Sequence, residues 1–216
     1  MKDTNTASLE PIIHDINAMY RELNEKLFSG KLEQAVLTVS PDNTKGAYGW
    51  MTNAKAWKAD TMTDEITADR KNFKDGYHEI NLCAEHLSRP IAEVAGTLLH
   101  EMVHLYNYQR GVKDTSRHGW YHNEAYRKAA ESVGLIVEKT EKYGWSTTRL
   151  NDDLKAWAEE NFTKFSLSRR VLNKKQKKTT KAHSIKYVCP CCGNSVRATK
   201  PLSVRCDDCD ELMAIG

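Results

Sequence analysis

Ile91-Ala92-Glu93-Val94-Ala95-Gly96-Thr97-Leu98-Leu99-His100-Glu101-Met102-Val103-His104-Leu105-Tyr106-Asn107-Tyr108 reads as one helix, and the chain organises itself around it. Ser88 and Pro90 open it and Gly111 ends it. Ile91, Val94, Ala95, Leu98, Leu99, Met102 and Val103 supply the apolar positions of a buried helix. His100 and His104 are four apart, so both imidazoles leave the same face and can share a metal ion. Two surface histidines could arise at that spacing by chance. The apolar setting argues otherwise, because an unpartnered buried imidazole is costly.

Zinc takes histidine nitrogen readily and keeps one position open for water in catalytic sites. Glu101, next to the first histidine, is placed to take a proton from that water, which is the chemistry of peptide hydrolysis. Catalytic zinc normally takes three protein ligands. His118, His122 and Glu124 are the downstream candidates. His118 falls in a Gly-containing loop. His122 falls at the start of the next predicted helix, where it is held rigidly, and is favoured.

Outward from this helix, an amphipathic helix is expected from Ser8 to about Phe28, with Ile12, Ile16, Met19, Leu23 and Leu27 on one face. Strands are expected over 35–40, 47–51 and 78–82, with a long loop over 52–76. Further helices are expected over about 123–132 and 152–161. No βαβ repeat is visible, so the fold class is α+β. Cys83 reads as a small buried residue. Trp50, Trp57 and Trp120 could line a cleft, although large aromatics more often pack the core.

Five of the six cysteines lie in the last 28 residues. Cys189 and Cys192 form one Cys-x-x-Cys pair, Cys206 and Cys209 another, with 13 residues between them. Four such thiolates present a tetrahedral structural zinc site, and the metal supplies folding energy to a module too small for its own core. Cys191 is the spectator. Three segments follow: a metallopeptidase domain over 8–162, a basic linker over 163–186 and a zinc ribbon over 187–216. The expected cofactors are thus two Zn2+ ions, one catalytic and one structural.

The net charge of +3 conceals an asymmetry. Between Asn161 and Lys186 stand nine Lys or Arg and no acidic residue, leaving the remainder near −6. Arg169, Arg170, Lys174, Lys175, Lys177 and Lys178 are its densest part. Such a run is often only a solvated linker. Beside a zinc ribbon it points to sequence-independent DNA binding through phosphate contacts. No apolar run approaches membrane-span length and no secretory signal is evident, so a cytoplasmic protein without a membrane partner is expected, with association with the nucleoid open to it.

The stretch Leu98 to Asn107 resembles the core of the SprT-like metalloproteases, the group that includes the Spartan proteases. Tyr121-His122-Asn123-Glu124-Ala125-Tyr126 is similar to that family's second motif, a histidine followed four residues later by an aromatic. Tyr20 to Asn24 and Glu79 to Leu82 resemble its first helix and the strand before its catalytic helix. The resemblance covers about Ile12 to Leu135 and implies a zincin-like fold, a His100-His104-His122 zinc site with Glu101 as base, and protein substrates crosslinked to or carried on DNA. The His104–His122 spacing is longer than in the Spartan-type version, and His118 falls nearer to it. The competing function is a non-catalytic nucleic-acid-binding or regulatory protein whose first metal site is closed, for example by His118 as a fourth ligand.

Overall fold

The computed structural model describes residues 8–41, 46–58, 76–165, 167, 170–171 and 184–216. The chain divides into two compact units, Met1–Leu172 and Asn173–Gly216. Arg169, Lys174, Lys175, Lys177 and Lys178 of the basic run lie outside the described residues.

The first unit is mixed α+β. Helices α1 (Glu10–Phe28), α2 (Ile91–Gln109), α3 (Glu124–Ser132) and α4 (Asp152–Asn161) pack with strands β1 (Ala35–Ser40), β2 (Gly49–Met51), β3 (Trp57–Lys58), β4 (Gly76–Cys83), β5 (Thr115–Ser116), β6 (Tyr121–His122), β7 (Leu135–Thr140) and β8 (Gly144–Leu150). One sheet runs β1-β4-β2, with β1 parallel and β2 antiparallel to β4, and β3 also pairs with β4. The other runs β5-β6-β8-β7.

Helix α2 holds the two sheets together. Ala92, Val94, Ala95, Leu98, Leu99, Met102, Val103 and Leu105 are all buried, on more than one side of the helix, as a central helix requires. Ile12, Ile16, Met19, Tyr20 and Leu23 of α1, and Leu37, Ile80 and Leu82 of the first sheet, join it in one core with Tyr126, Ala130, Leu135 and Leu150. Leu150, at the end of β8, and Leu154, on α4, are both buried, as is Cys83.

Local signals explain most ends. Pro11 sits in the first turn of α1, although the cap position is Leu9 and Ser8 instead accepts from the Glu10 N–H at 3.0 Å. Ser29 and Gly30, both at positive φ, end that helix. Asn123 caps α3, its side chain accepting from the N–H groups of Ala125 and Tyr126. That cap corrects one expectation. His122 lies not on the helix but on β6, one residue before the cap. Two others fail: Trp57 is 45% and Trp120 63% exposed, so neither packs in the core. Strand β3 falls within the stretch expected to be a loop, and the β7–β8 hairpin was not anticipated.

His78, on the helix-facing side of β4, is 1% exposed. Its Nδ1–H donates to the Thr52 carbonyl at 2.9 Å, and Tyr108 meets its ring edge-on at 4.2 Å between centroids. Its buried Nε2 has no hydrogen-bond partner. Burial therefore pushes its pKa below 6.5. The unfolded chain binds the extra proton more readily, so this histidine subtracts stability as pH falls below about 6.5. Between pH 7.5 and 5.5, the thermal midpoint of the native chain is expected to fall further than that of His78→Gln. The difference between the two melting series isolates this histidine from the others.

The second unit is small. Strands β9 (Ile185–Val188), β10 (Ser195–Ala198) and β13 (Ala214–Ile215) form an antiparallel sheet, and β11 (Arg205–Cys206) pairs with β12 (Glu211–Leu212). Its buried apolar residues, among those described, are Tyr187, Cys189 and Cys206. Among the described residues no helix is long and apolar enough to cross a membrane.

Candidate metal centres

His100, His104 and His122 converge on one point. The Nε2 atom of His122 is 3.1 Å from Nε2 of His100 and 3.1 Å from Nε2 of His104. The first two arrive from consecutive turns of α2. The third arrives from β6, which Gly144 on β8 positions: a Cβ there, at φ +69°, would stand 2.1 Å from the His122 carbonyl. Only glycine permits that approach.

The outer nitrogens decide where the protons are. His104 Nδ1 is 2.7 Å from Asp114 Oδ2, an acceptor, so Nδ1 carries the proton and donates. His122 Nδ1 donates to the Tyr143 carbonyl at 3.3 Å. His100 Nδ1 is 3.0 Å from Thr148 Oγ1. In the neutral rings of His104 and His122, the two Nε2 lone pairs therefore face each other at 3.1 Å. Two lone pairs cannot bond to one another, but they fit a shared cation. Ligand nitrogens about 2.0–2.1 Å from a tetrahedral zinc stand about 3.3 Å apart. The donor set and its spacing are consistent with zinc.

Electrostatics favour the neutral ring at two of the three positions. Burial, followed by the neighbouring His104 and His122, holds His100 well below 6.5. Burial and His104 push His122 down to about 4. Burial also opposes charge on His104, but the hydrogen bond and charge of Asp114, with Glu101 adding, outweigh it and raise its pKa. Beneath the three rings lies Tyr126, fully buried, with its centroid 4.8, 4.7 and 4.6 Å from those of His100, His104 and His122. Burial holds its hydroxyl well above 10, so it stays protonated and serves as a floor.

Glu101 is 6% exposed, and burial raises its carboxyl to about 7. Across from it runs β2, whose Gly49 brings backbone close. A Cβ at that position would lie 2.8 Å from the Asn81 carbonyl, 3.2 Å from Thr97 Cγ2 and 3.4 Å from Glu101 Oε1. Among the described residues, no side chain intervenes there between the strand and the carboxylate.

His118 is exposed at the turn between β5 and β6, at φ 59°, and is not gathered with the other three. Glu124 points elsewhere, to Arg127.

Three supporting residues were missed from the sequence, Asp114, Thr148 and Tyr143. Asp114, only 9% exposed, accepts from His104 and from Asn107 Nδ2 at 3.1 Å. Thr148 meets His100. A carboxylate behind a metal-binding imidazole fixes its tautomer and strengthens it as a donor. Asp114→Asn is therefore expected to weaken zinc binding at the histidine site about 10- to 100-fold, read by competition with a chromophoric chelator.

The ribbon supplies the second cluster. The sulfurs of Cys189, Cys192, Cys206 and Cys209 lie within 4.8 Å of one another, with Cys192 and Cys206 at 3.6 Å. Tetrahedral Zn–S bonds of about 2.3 Å place sulfurs about 3.8 Å apart, so this set also fits zinc. The Cys192 N–H, then burial opposing it and the Cys191 N–H, leave Cys189 near 7, a thiol ready to bind as thiolate. Cys191 is exposed and outside the four.

The SprT-like family model matches residues 16–149, well over half of the 216-residue chain. The chain belongs to the SprT-like family. The SprT-like span begins in α1 and ends in β8, so it holds all three histidines, Glu101, Asp114 and Thr148, and it stops before the cysteine unit. No curated protein matches the chain.

Proposed function

We propose that this SprT-like protein is a zinc-dependent endopeptidase of zincin type that cuts proteins held on DNA. One observation carries the catalytic part: three imidazole Nε2 atoms converge beside a buried carboxylate with no fourth protein ligand among the described residues. A structural site has no use for such a base.

When bound, zinc would supply a Lewis acid for the scissile carbonyl and a more acidic water. The remaining work falls to the chain. Glu101 would take the water's proton on its carboxylate and return it to the departing amide nitrogen. Its burial strengthens it as a base, while a cation among the histidines would moderate that rise. Asp114, Thr148 and the Tyr143 carbonyl would hold the imidazoles against rotation, and Tyr126 would exclude water from beneath them. Among the described residues, strand β2 pairs only with β4. Its other edge could take an extended substrate by backbone pairing, which would lay the peptide along Glu101.

The nucleic-acid part draws on charge. Lys186 and Arg197 sit directly opposite one another in the β9–β10 ladder. Like charges at such a position repel, and a phosphate between them would relieve this. The 207–211 turn, with Asp207, Asp208, Asp210 and Glu211, is acidic, so DNA would meet the β9–β10 side. The basic run before the ribbon would add counterion release.

The test is cleavage of a DNA-binding protein by the zinc-loaded chain, with and without single-stranded DNA. Cutting stimulated by DNA is expected. Cutting indifferent to DNA would leave a general peptidase, and DNA and zinc binding without cutting would favour a regulatory protein.

A further inference from the structure

Beyond Glu101, towards the start of α2, lies a polar group with no part in the chemistry above. Arg89 stacks its guanidinium over Tyr48, 4.0 Å from the ring centroid, and Tyr48 also meets His86 at 4.7 Å. Arg89 Nε donates to the His86 carbonyl at 2.9 Å, and Nη2 donates to Thr97 Oγ1 at 2.9 Å. Thr97 passes its own proton to the Glu93 carbonyl at 3.1 Å, so its hydroxyl oxygen is committed as the acceptor. The guanidinium is thus locked in place by neutral acceptors and an aromatic face.

Its charge is poorly matched. The acidic group paired with it is Glu93, whose carboxylate is 3.8 Å from Nη1 and whose side chain is 57% exposed, against 18% for Arg89. Such a solvated carboxylate at the edge of contact contributes little. Burial works against the Arg89 charge, with Glu93 first among the groups that support it. A guanidinium presents five N–H donors in a planar fork suited to a carboxylate. Two of those donors are used as described.

The position matters as much as the charge. Thr97 lies one helical turn, about 6 Å, before Glu101 on α2. Thr97 and Glu101 both border Gly49, and Tyr48, 48% exposed, is the residue before it. A peptide paired along the edge of β2 that no described strand occupies would pass Tyr48 and Arg89 within a residue or two of the bond above Glu101.

We infer that Arg89, presented on Tyr48, is a specificity residue that binds a substrate carboxylate a short distance from the scissile bond. This rests on the peptidase function proposed above. The carboxylate could belong to an Asp or Glu side chain or to the C-terminus of the substrate, and Glu93 would swing out to admit it.

The experiment uses the full zinc-loaded chain and a peptide series bearing Glu or Gln at each position around a cut site, each made as C-terminal acid and amide. About a ten- to hundredfold higher kcat/KM is expected for a carboxylate at one position, carried mainly by KM. Preference for Glu over Gln identifies a side chain, and preference for acid over amide identifies the chain terminus. Arg89→Gln should bring that ratio near one, and Arg89→Lys should restore part of it. Glu93→Gln, which leaves the Arg89 anchors in place, should increase it. Binding of the same peptides to Glu101→Gln, followed by fluorescence anisotropy, should show the same order without turnover. Cutting of all peptides with no carboxylate preference would overturn this inference and leave the peptidase intact. Cutting of none would remove the peptidase function and the inference with it.

Discussion

Glu101→Gln is expected to reduce cleavage by about a thousandfold while both metal sites stay filled. The substitution keeps the side chain's size and its place against Gly49, but an amide cannot take a proton from water. Positioned general bases contribute on the order of 10²–10⁴-fold. A thousandfold corresponds to about 4 kcal/mol of barrier. Thermal stability should hold or rise, because a carboxyl raised to about 7 by burial is replaced by a group with no charge to desolvate. A loss of activity accompanied by loss of metal would instead make Glu101 structural. The check is cleavage rate, metal content and melting on one preparation.

Removing the ribbon metal should have an equally large effect on folding. Tyr187, Cys189 and Cys206 are the buried apolar residues described there, and they cannot offset the conformational entropy of 184–216. A structural zinc contributes about 10–16 kcal/mol to such modules. Cys206→Ala is therefore expected to unfold the ribbon, exposing it to protease and collapsing its amide shifts. The first unit, with its own core built on α2, should keep its melting transition. A ribbon that stays folded in Cys206→Ala would show that the four sulfurs hold no metal needed for folding.

What the sequence disclosed follows the strength of local signals. Helix α2 was legible because its apolar residues fall at helical spacing over the whole length, which also exposed His100 and His104 as exceptions. The ribbon was legible because Cys-x-x-Cys spacing has few other uses. The β7–β8 hairpin was not. Leu135-Ile136-Val137 is an unbroken apolar run too short to tell strand from helix, a register shift between Glu138 and Thr140 interrupts the pairing, and β8 carries Ser146, Thr147 and Thr148 where apolar residues would signal a strand. That hairpin brings Thr148 to His100 and Tyr143 to His122, so half of the support for the site was hidden with it. Asp114 was invisible for another reason: an aspartate in a polar connection looks solvated until tertiary packing shows it behind His104. The exposed Trp57 and Trp120 ran against composition. Trp57 is oriented by its indole N–H, which donates to Glu79 at 2.9 Å.

The central claim is that three histidines hold the metal at which peptide bonds are cut. It is tested most directly by stripping the chain of metal and following cleavage of a DNA-bound protein as zinc is returned. Cleavage should be absent without metal, return with zinc in the native chain, and fail to return in His122→Ala. Cleavage by the stripped chain, or by zinc-loaded His122→Ala at the native rate, would contradict it.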